Sequence, residues 1–311
     1  MTLRASAGYT QYADALITPQ FGDRLIARGY CSFVAGDITD TDYAGDLTKC
    51  GDQITYFVDP EVAINEYQKN QVLDPQELES ESVTMVVDRA KYYNVKLDRV
   101  DEKQICFIDK WVESFLRRAE YNMKRLLDPE VLMRMALETA PTNKGMGAGK
   151  ESHSQDLGEI GNPVPITAAN VIDVLTRLDV VLREACRWED GQMFVVLPNV
   201  SRNALIASDL KAAYLTGMAQ SPMLNGKFPM VICGFDVYFT DNVPKVPDLA
   251  TNKTAYWIVA GNKKATGFAQ QLEDHEIVSM EKSFGKFYRG LWVYGHKPFL
   301  RDALAALYAT F

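Results

Sequence analysis

Residues 103–139 constrain this chain more than any other stretch. Ile105, Ile108, Val112, Phe115, Leu116, Ala119, Met123, Leu126 and Leu127 recur at three- and four-residue steps, which places one apolar stripe on one helix face. At a rise of about 1.5 Å per residue, the pattern predicts a helix about 50 Å long, more than a small domain is wide. One core cannot enclose such a helix, so it must run along a body as a strut. Asp128-Pro129-Glu130 reads as an N-cap followed by proline at the first helical position, and a kink or restart is expected there. Pro141 ends the pattern.

What precedes the strut does not read as a compact unit. Residues 1–50 are short polar pieces broken by glycine, with Asp37, Asp40, Asp42 and Asp46 crowding the second half. Such a segment buries little by itself, and the expectation is an arm lying on another surface. From Asp52 the signal turns to β. DQITYFVD and SVTMVVD are rich in β-branched and aromatic residues, and in YYNVKLDRV the residues Tyr93, Val95 and Leu97 alternate with polar ones. Between the first two runs lie about twenty polar residues, long for a loop inside a compact domain. Residues 52–87 are therefore expected to form a two-stranded excursion, which is marginally stable in water without a partner surface.

Behind the strut, residues 141–163 are Gly-rich and polar and read as a linker. An amphipathic helix opens near Thr167, MFVVLP is a buried strand, and SRNALIASDLKAAYL is one helix or two. MVICGFDVYFTD is a strand pair bent at Gly234, AYWIVAG is a strand, and a short helix is expected around 263–270. The closing segment reads as strands returning to the body, then a last strand or short helix.

Composition excludes several classes. At 311 residues, with 47% hydrophobic and 24% charged residues, the chain has globular values and is long for one domain. A net charge of −8 argues against a dedicated nucleic-acid reader. No window approaches the roughly 18 apolar residues of a membrane-crossing helix, and the N-terminus lacks the pattern of a signal peptide, so a soluble protein made in a cytoplasm is expected. The five cysteines, Cys31, Cys50, Cys106, Cys186 and Cys233, are odd in number and have no C-x-x-C spacing. They read as small hydrophobic filler, with Cys106 and Cys186 in helical segments and Cys233 in an apolar run.

No catalytic constellation emerges. GMGAGKES invites a phosphate-loop reading, but Lys144 stands where the first glycine belongs and Glu151 where the Ser or Thr belongs. It also follows a helix rather than a strand, which favours a flexible loop. His153, His275 and His296 have no metal-binding spacing. Glu79 and Glu81 read as solvated charge rather than an acid–base pair. The residues predict neither an enzyme nor a cofactor or metal site.

Taken in order, these pieces resemble the major capsid proteins of tailed bacteriophages, the HK97-fold family. VVLPNVSRNALIAS, VICGFDVYFTDNVP, AYWIVAGNKKATGFA, EIVSMEKSFGKFYRGLWVYGHKPF and LRDALAALYAT carry the likeness, together with the succession of arm, excursion and strut. The resemblance implies an α+β HK97-like capsid fold. It divides the chain into an N-terminal arm (1–51), an E-loop hairpin with its adjoining strand (52–100), a P-domain spine helix (101–140) and a linker (141–166). An axial A-domain (167–272) and returning strands (273–311) complete it. One of the loops 216–227 and 242–253 would lie near the symmetry axes.

The function so implied is a shell protein that assembles as homo-pentamers and homo-hexamers around double-stranded DNA in the virion, built in the host cytoplasm. Its contact with the packaged DNA would be non-specific, and no membrane is involved. The chain lacks the scaffolding extension of roughly a hundred residues that some members carry. A separate scaffolding protein beside a portal is expected, with room for a decoration protein, the alternative being that this chain is a processed product. An encapsulin-type nanocompartment shares the implied fold, and an oligomeric α/β enzyme is a distant alternative. The arm and excursion favour the virus. For contact between subunits the sequence offers an acidic set on the excursion, Asp74, Glu77, Glu79 and Glu81. Facing it would be a basic stripe on the helix, in which Lys110, Arg117 and Lys124 recur every seven residues beside Arg118 and Arg125.

Overall fold

The strand Met193–Pro198 is buried at every position, because it lies inside a sheet covered on both faces. Met193, Val195 and Leu197 join one apolar cluster while Phe194 and Val196 join another, as a period of two requires. The computed structural model describes residues 33–41, 53–58, 62, 64–69, 71, 75, 81–104, 108–208, 231–281 and 283–311.

Within these residues the elements are α1 (Ala35–Ile38), β1 (Gln53–Val58), β2 (Glu81–Val86), β3 (Arg89–Asp98), α2 (Arg99–Gln104) and α3 (Ile108–Glu138). There follow β4 (Val164–Pro165), α4 (Val171–Glu184), β5 (Met193–Pro198), α5 (Ser201–Ala207), β6 (Val231–Ile232) and β7 (Phe235–Thr240). The chain closes with β8 (Lys245–Asp248), β9 (Lys253–Asn262), β10 (Thr266–Ser279), β11 (Gly285–Pro298) and β12 (Leu304–Thr310).

The central sheet runs β4-β12-β9-β5-β7-β6, with β8 alongside the first half of β9. β5 pairs β7, and β12 pairs β4, in parallel; the other pairs are antiparallel. One face packs on Val174, Leu175, Leu178 and Leu182 of α4. The other packs on Leu127, Val131, Leu132 and Met135 of α3. A second sheet, β10-β11-β3, carries two 14-residue strands, and β1 and β2 form a separate two-stranded ribbon.

The strut is real but partitioned. α3 has 31 residues, about 46 Å at the helical rise. Its C-terminal half is core, whereas among the described side chains from 110 to 122 none is buried. The helix runs on through Pro129 and does not restart, because the buried turns after it are held against the sheet. Upstream, α2 is described to Gln104 and α3 from Ile108, and residues 105–107 lie outside the described residues.

Three further expectations are corrected. Residues 263–270 hold a single 3-10 turn, Lys263–Ala265, and then the start of β10. The stretch 141–163 is not a loose linker: Ala148 and Leu157 are buried, and the Asn143 amide donates to the carbonyls of Asp302 and Leu304. Cys186 is exposed with φ 55°, two residues beyond the end of α4 rather than within it, whereas Cys233, in the turn before Gly234 with φ 51°, is half-buried against the core as filler. Around Cys186 the Arg187 N–H reaches the Leu182 carbonyl and the Cys186 N–H reaches Arg183, a Schellman closure that needs a left-handed residue. Cys31, Cys50 and Cys106 lie outside the described residues, as do most of the arm and the loop 216–227.

Candidate assembly surfaces

The ribbon is built to stand off the body while its root is fixed. Six residue pairs, from Gln53↔Val86 to Val58↔Glu81, zip β1 to β2, and the hydroxyls of Thr55 and Thr84 lie 2.9 Å apart. At the root Met85 is fully buried beside Ala269. The Val86 carbonyl sits so close over β11 that a Cβ on Gly295 would be 2.6 Å from its oxygen. Only glycine permits that approach. Farther out, Val62, Ile64 and Tyr67 are exposed. A ribbon of two strands with apolar residues left in water offers surface to another molecule.

Where the helix passes under the second sheet, ionic contacts fix its position. The Glu130 carboxylate takes Arg89, the Lys91 ammonium at 2.6 Å and the Tyr294 hydroxyl at 2.8 Å. Burial and the neighbouring Arg89 charge lower the Lys91 pKa. Two residues earlier, Asp128 is wholly buried and forms no ion pair among the described residues. Its carboxylate accepts the N–H of Ala35 at 3.0 Å, that of Val34 at 3.3 Å and the Asn242 amide at 2.9 Å. Burial raises its pKa, and the three hydrogen bonds work against that. The residue expected to cap a restarting helix instead holds the piece 33–41 down. That piece continues to Asp40, which bridges to Gly267 at the start of β10.

The loop 149–153, set aside as a phosphate loop, cradles an anion of its own chain. Glu184 accepts the N–H groups of Glu151 and Ser152 and the Ser152 hydroxyl, each at 3.1 Å. Partial burial works to raise the Glu184 pKa, but these hydrogen bonds and the nearby His153 bring it below the usual value. Gly149, at φ +110°, has no room for a side chain beside Ser152 and Glu184.

The three histidines are separate. The His275 ring lies 2.9 Å from the Tyr93 hydroxyl, which crosses over Gly290 to reach it. His153 is in the exposed loop. His296, on β11, is buried, its pKa lowered to about 3 by burial first and then by Arg134, Arg89 and Lys91. Among the described residues no group of three or more His, Cys, Asp or Glu could hold a metal ion. No described helix is long and apolar enough to cross a membrane.

Of the residues singled out for subunit contact, Asp74, Glu77 and Glu79 lie outside the described residues. Glu81 is the first residue of β2. The basic set is on α3 as expected, but two members carry a carboxylate one turn away: Glu113 pairs with Arg117, and Glu120 with Lys124 at 2.5 Å. Among the described residues Lys110, Arg118 and Arg125 form no ion pair. Arg125 lines an open cleft with Leu126, Pro129, Asn242, Pro244 and Lys245. Sequence reading missed Asp128, Glu130 and Glu184. A carboxylate inside the apolar run LLDPEVL was the available signal for the first two; nothing local marks the third.

No family model matches the sequence, and neither does any curated protein. Solved structures do. A chain from Mycobacterium phage Che8 superposes with a TM-score of 0.71 at 18% identity, covering 93% of this chain and 96% of that one. The capsid structure of cyanophage P-SCSP1u gives 0.67 at 12% identity, covering 96% and 94%. The capsid of Ralstonia phage GP4 gives 0.62 at 13% identity, covering 98% and 99%. The chain has the HK97-like capsid fold. The match covers more than nine-tenths of both chains in each case. At these identities it is the fold that is shared.

Proposed function

We propose that this protein is the major head protein of a tailed bacteriophage, one that assembles as pentamers and hexamers into an icosahedral shell around double-stranded DNA. The observation that carries the reading is the capsid fold matched over 93–98% of the chain in the three structures named. In this reading β1–β2 is the E-loop, α3 the spine helix, β3, β10 and β11 the peripheral sheet, and the seven-stranded sheet the axial domain. The protein works by contact rather than by chemistry.

The E-loop is proposed to lie on the spine helix of a neighbouring copy. Asp74, Glu77, Glu79 and Glu81 would meet Arg118 and Arg125, which with Lys110 are the cations of the stripe without an ion pair among the described residues. Scaffolding, portal and decoration proteins are the further partners of this proposal, and DNA contact would be non-specific.

The test is expression of the chain, alone and with candidate scaffolding proteins, followed by electron microscopy of the particles. Closed shells that package DNA in infected cells are the expected result. Shells filled with a protein cargo would point to a nanocompartment, and small soluble oligomers under all conditions would overturn the reading.

A further inference from the structure

Although the chain carries a net charge of −8, one end of the second sheet gathers cations. β10 and β11 pair as far as Ser279↔Lys286, and β3 pairs β11 as far as Asp98↔Gly285. Beyond these last rungs the backbone is tied twice more. The Met280 N–H donates to the Gly285 carbonyl at 3.1 Å, and the Arg99 N–H to the Phe284 carbonyl at 3.2 Å. The hairpin end and the first turn of α2 are thereby held together, and both line a cavity of about 580 Å³. Small-molecule sites fall in the range of roughly 300–1,000 Å³.

The lining chemistry selects the ligand. Arg99, Lys103 and Lys286 border the cavity, with the hydroxyls of Ser279 and Ser283. Glu102 is the one carboxylate among the described lining residues, and Lys286 takes it at 2.7 Å. Arg99 and Lys103 form no ion pair among the described residues. The Glu102 carboxylate raises the Lys286 pKa while the Arg99 charge works to lower it, so the cations stand near enough to repel. Three cations around one carboxylate leave positive charge for an anion to neutralise, and the hydroxyls add donors for its oxygens. A phosphate group, with several oxygens to share, suits that set. Phe284 lines the same cavity and is 78% exposed. An aromatic face left in water beside cations is the platform on which an unpaired nucleobase stacks.

We propose that this cavity binds a nucleotide, with its phosphate on Arg99, Lys103 and Lys286 and its base on Phe284. The ligand is a nucleoside monophosphate unit, either free or as an unpaired nucleotide of a nucleic acid. The site needs only the folded subunit and stands apart from the shell reading. The test is titration calorimetry of the full chain with deoxyadenosine monophosphate, and separately with inorganic phosphate and with deoxyadenosine. One nucleotide should bind per chain, more tightly than either half. The double variant Arg99→Ser, Lys103→Ser should bind at least about tenfold more weakly, because hydrogen bonds to a charged group are lost. Both residues are exposed, so the variant should melt like wild type, and Lys103→Ser alone serves as a second, milder variant. Phe284→Ser should weaken the nucleotide about tenfold and leave inorganic phosphate unchanged. Glu102→Gln frees Lys286 and should tighten binding about threefold, which a merely structural ion pair would not do. Competition by a short single-stranded oligothymidylate assigns the site to unpaired DNA, and lack of competition assigns it to free nucleotide; both keep the site. The proposal is overturned if the nucleotide fails to bind at millimolar concentration or binds no better than inorganic phosphate. It is equally overturned if the double variant binds like wild type.

Discussion

Asp128, buried in the middle of the spine helix, accepts the backbone N–H of Ala35 at 3.0 Å across 93 residues of sequence. The contact makes the stretch 33–41 part of the core. Val34, Ala35 and Ile38 are buried against Leu127 and Val131. Deletion of residues 1–40 would therefore strip the core as well as the arm, and the clean test of the arm is deletion of 1–32. That truncation should leave folded subunits that fail to close shells; intact shells would deny the arm its role.

Replacing Asp128 grades the same contact. Asp128→Ala leaves three buried donors without their acceptor and should cost about 4 kcal/mol, the scale of a broken buried polar group. Asp128→Asn keeps one acceptor oxygen and should cost about 2 kcal/mol, and Asn242→Ala about 1 kcal/mol. Urea melts give the order. Protease cleavage near residues 33–41 should increase in step with it.

His296 predicts an acid-sensitive fold. Its pKa is about 3 when folded, against about 6.5 when unfolded, so between these values the unfolded chain binds more protons. Its contribution is fully present above pH 6.5 and is lost as pH falls towards 3, by up to about 5 kcal/mol. His296→Phe should flatten the dependence of urea stability on pH across this window. An unchanged slope would show that other groups set the acid limit.

Gly295 should be intolerant of even one methyl group. Gly295→Ala drives a Cβ towards the Val86 carbonyl and should displace the ribbon root, at a cost of about 2 kcal/mol for overpacking. Shell yield should fall further than subunit stability, because the displaced ribbon is the part that reaches outward. Equal loss of both would mean that the ribbon's position is unimportant for assembly.

The electrostatic docking of the ribbon is tested by reversal and rescue. Arg118→Glu with Arg125→Glu should lower shell yield, more so at low salt, because exposed pairs are each worth only about 0–1 kcal/mol and are screened. Adding Glu77→Lys and Glu81→Lys should restore it. A defect without rescue would favour a stripe turned towards DNA, and no defect would leave the stripe as solvated surface.

Local pattern carried much of this fold. The ribbon strands, the half-buried β3, the buried β5 and the strut were legible because each has a strong period of its own. The ordered succession of these pieces was enough to expose the capsid likeness. Sequence alone also marked MFVVLP as a buried strand, since it has no polar side.

Tertiary structure decided the rest, where a residue's role depends on something distant in the chain. Pro129 signals a helix start locally, but buried turns pressed on the sheet carry the helix through it. Residues 266–270 become the first residues of β10 because β11, some thirty residues later, supplies their hydrogen bonds. Gly149–His153 is shaped by Glu184 on another helix, and the basic stripe is partly neutralised by Glu113 and Glu120. Hydrogen-bond partners and burial are set by the neighbours that folding brings in, and no window of sequence contains them.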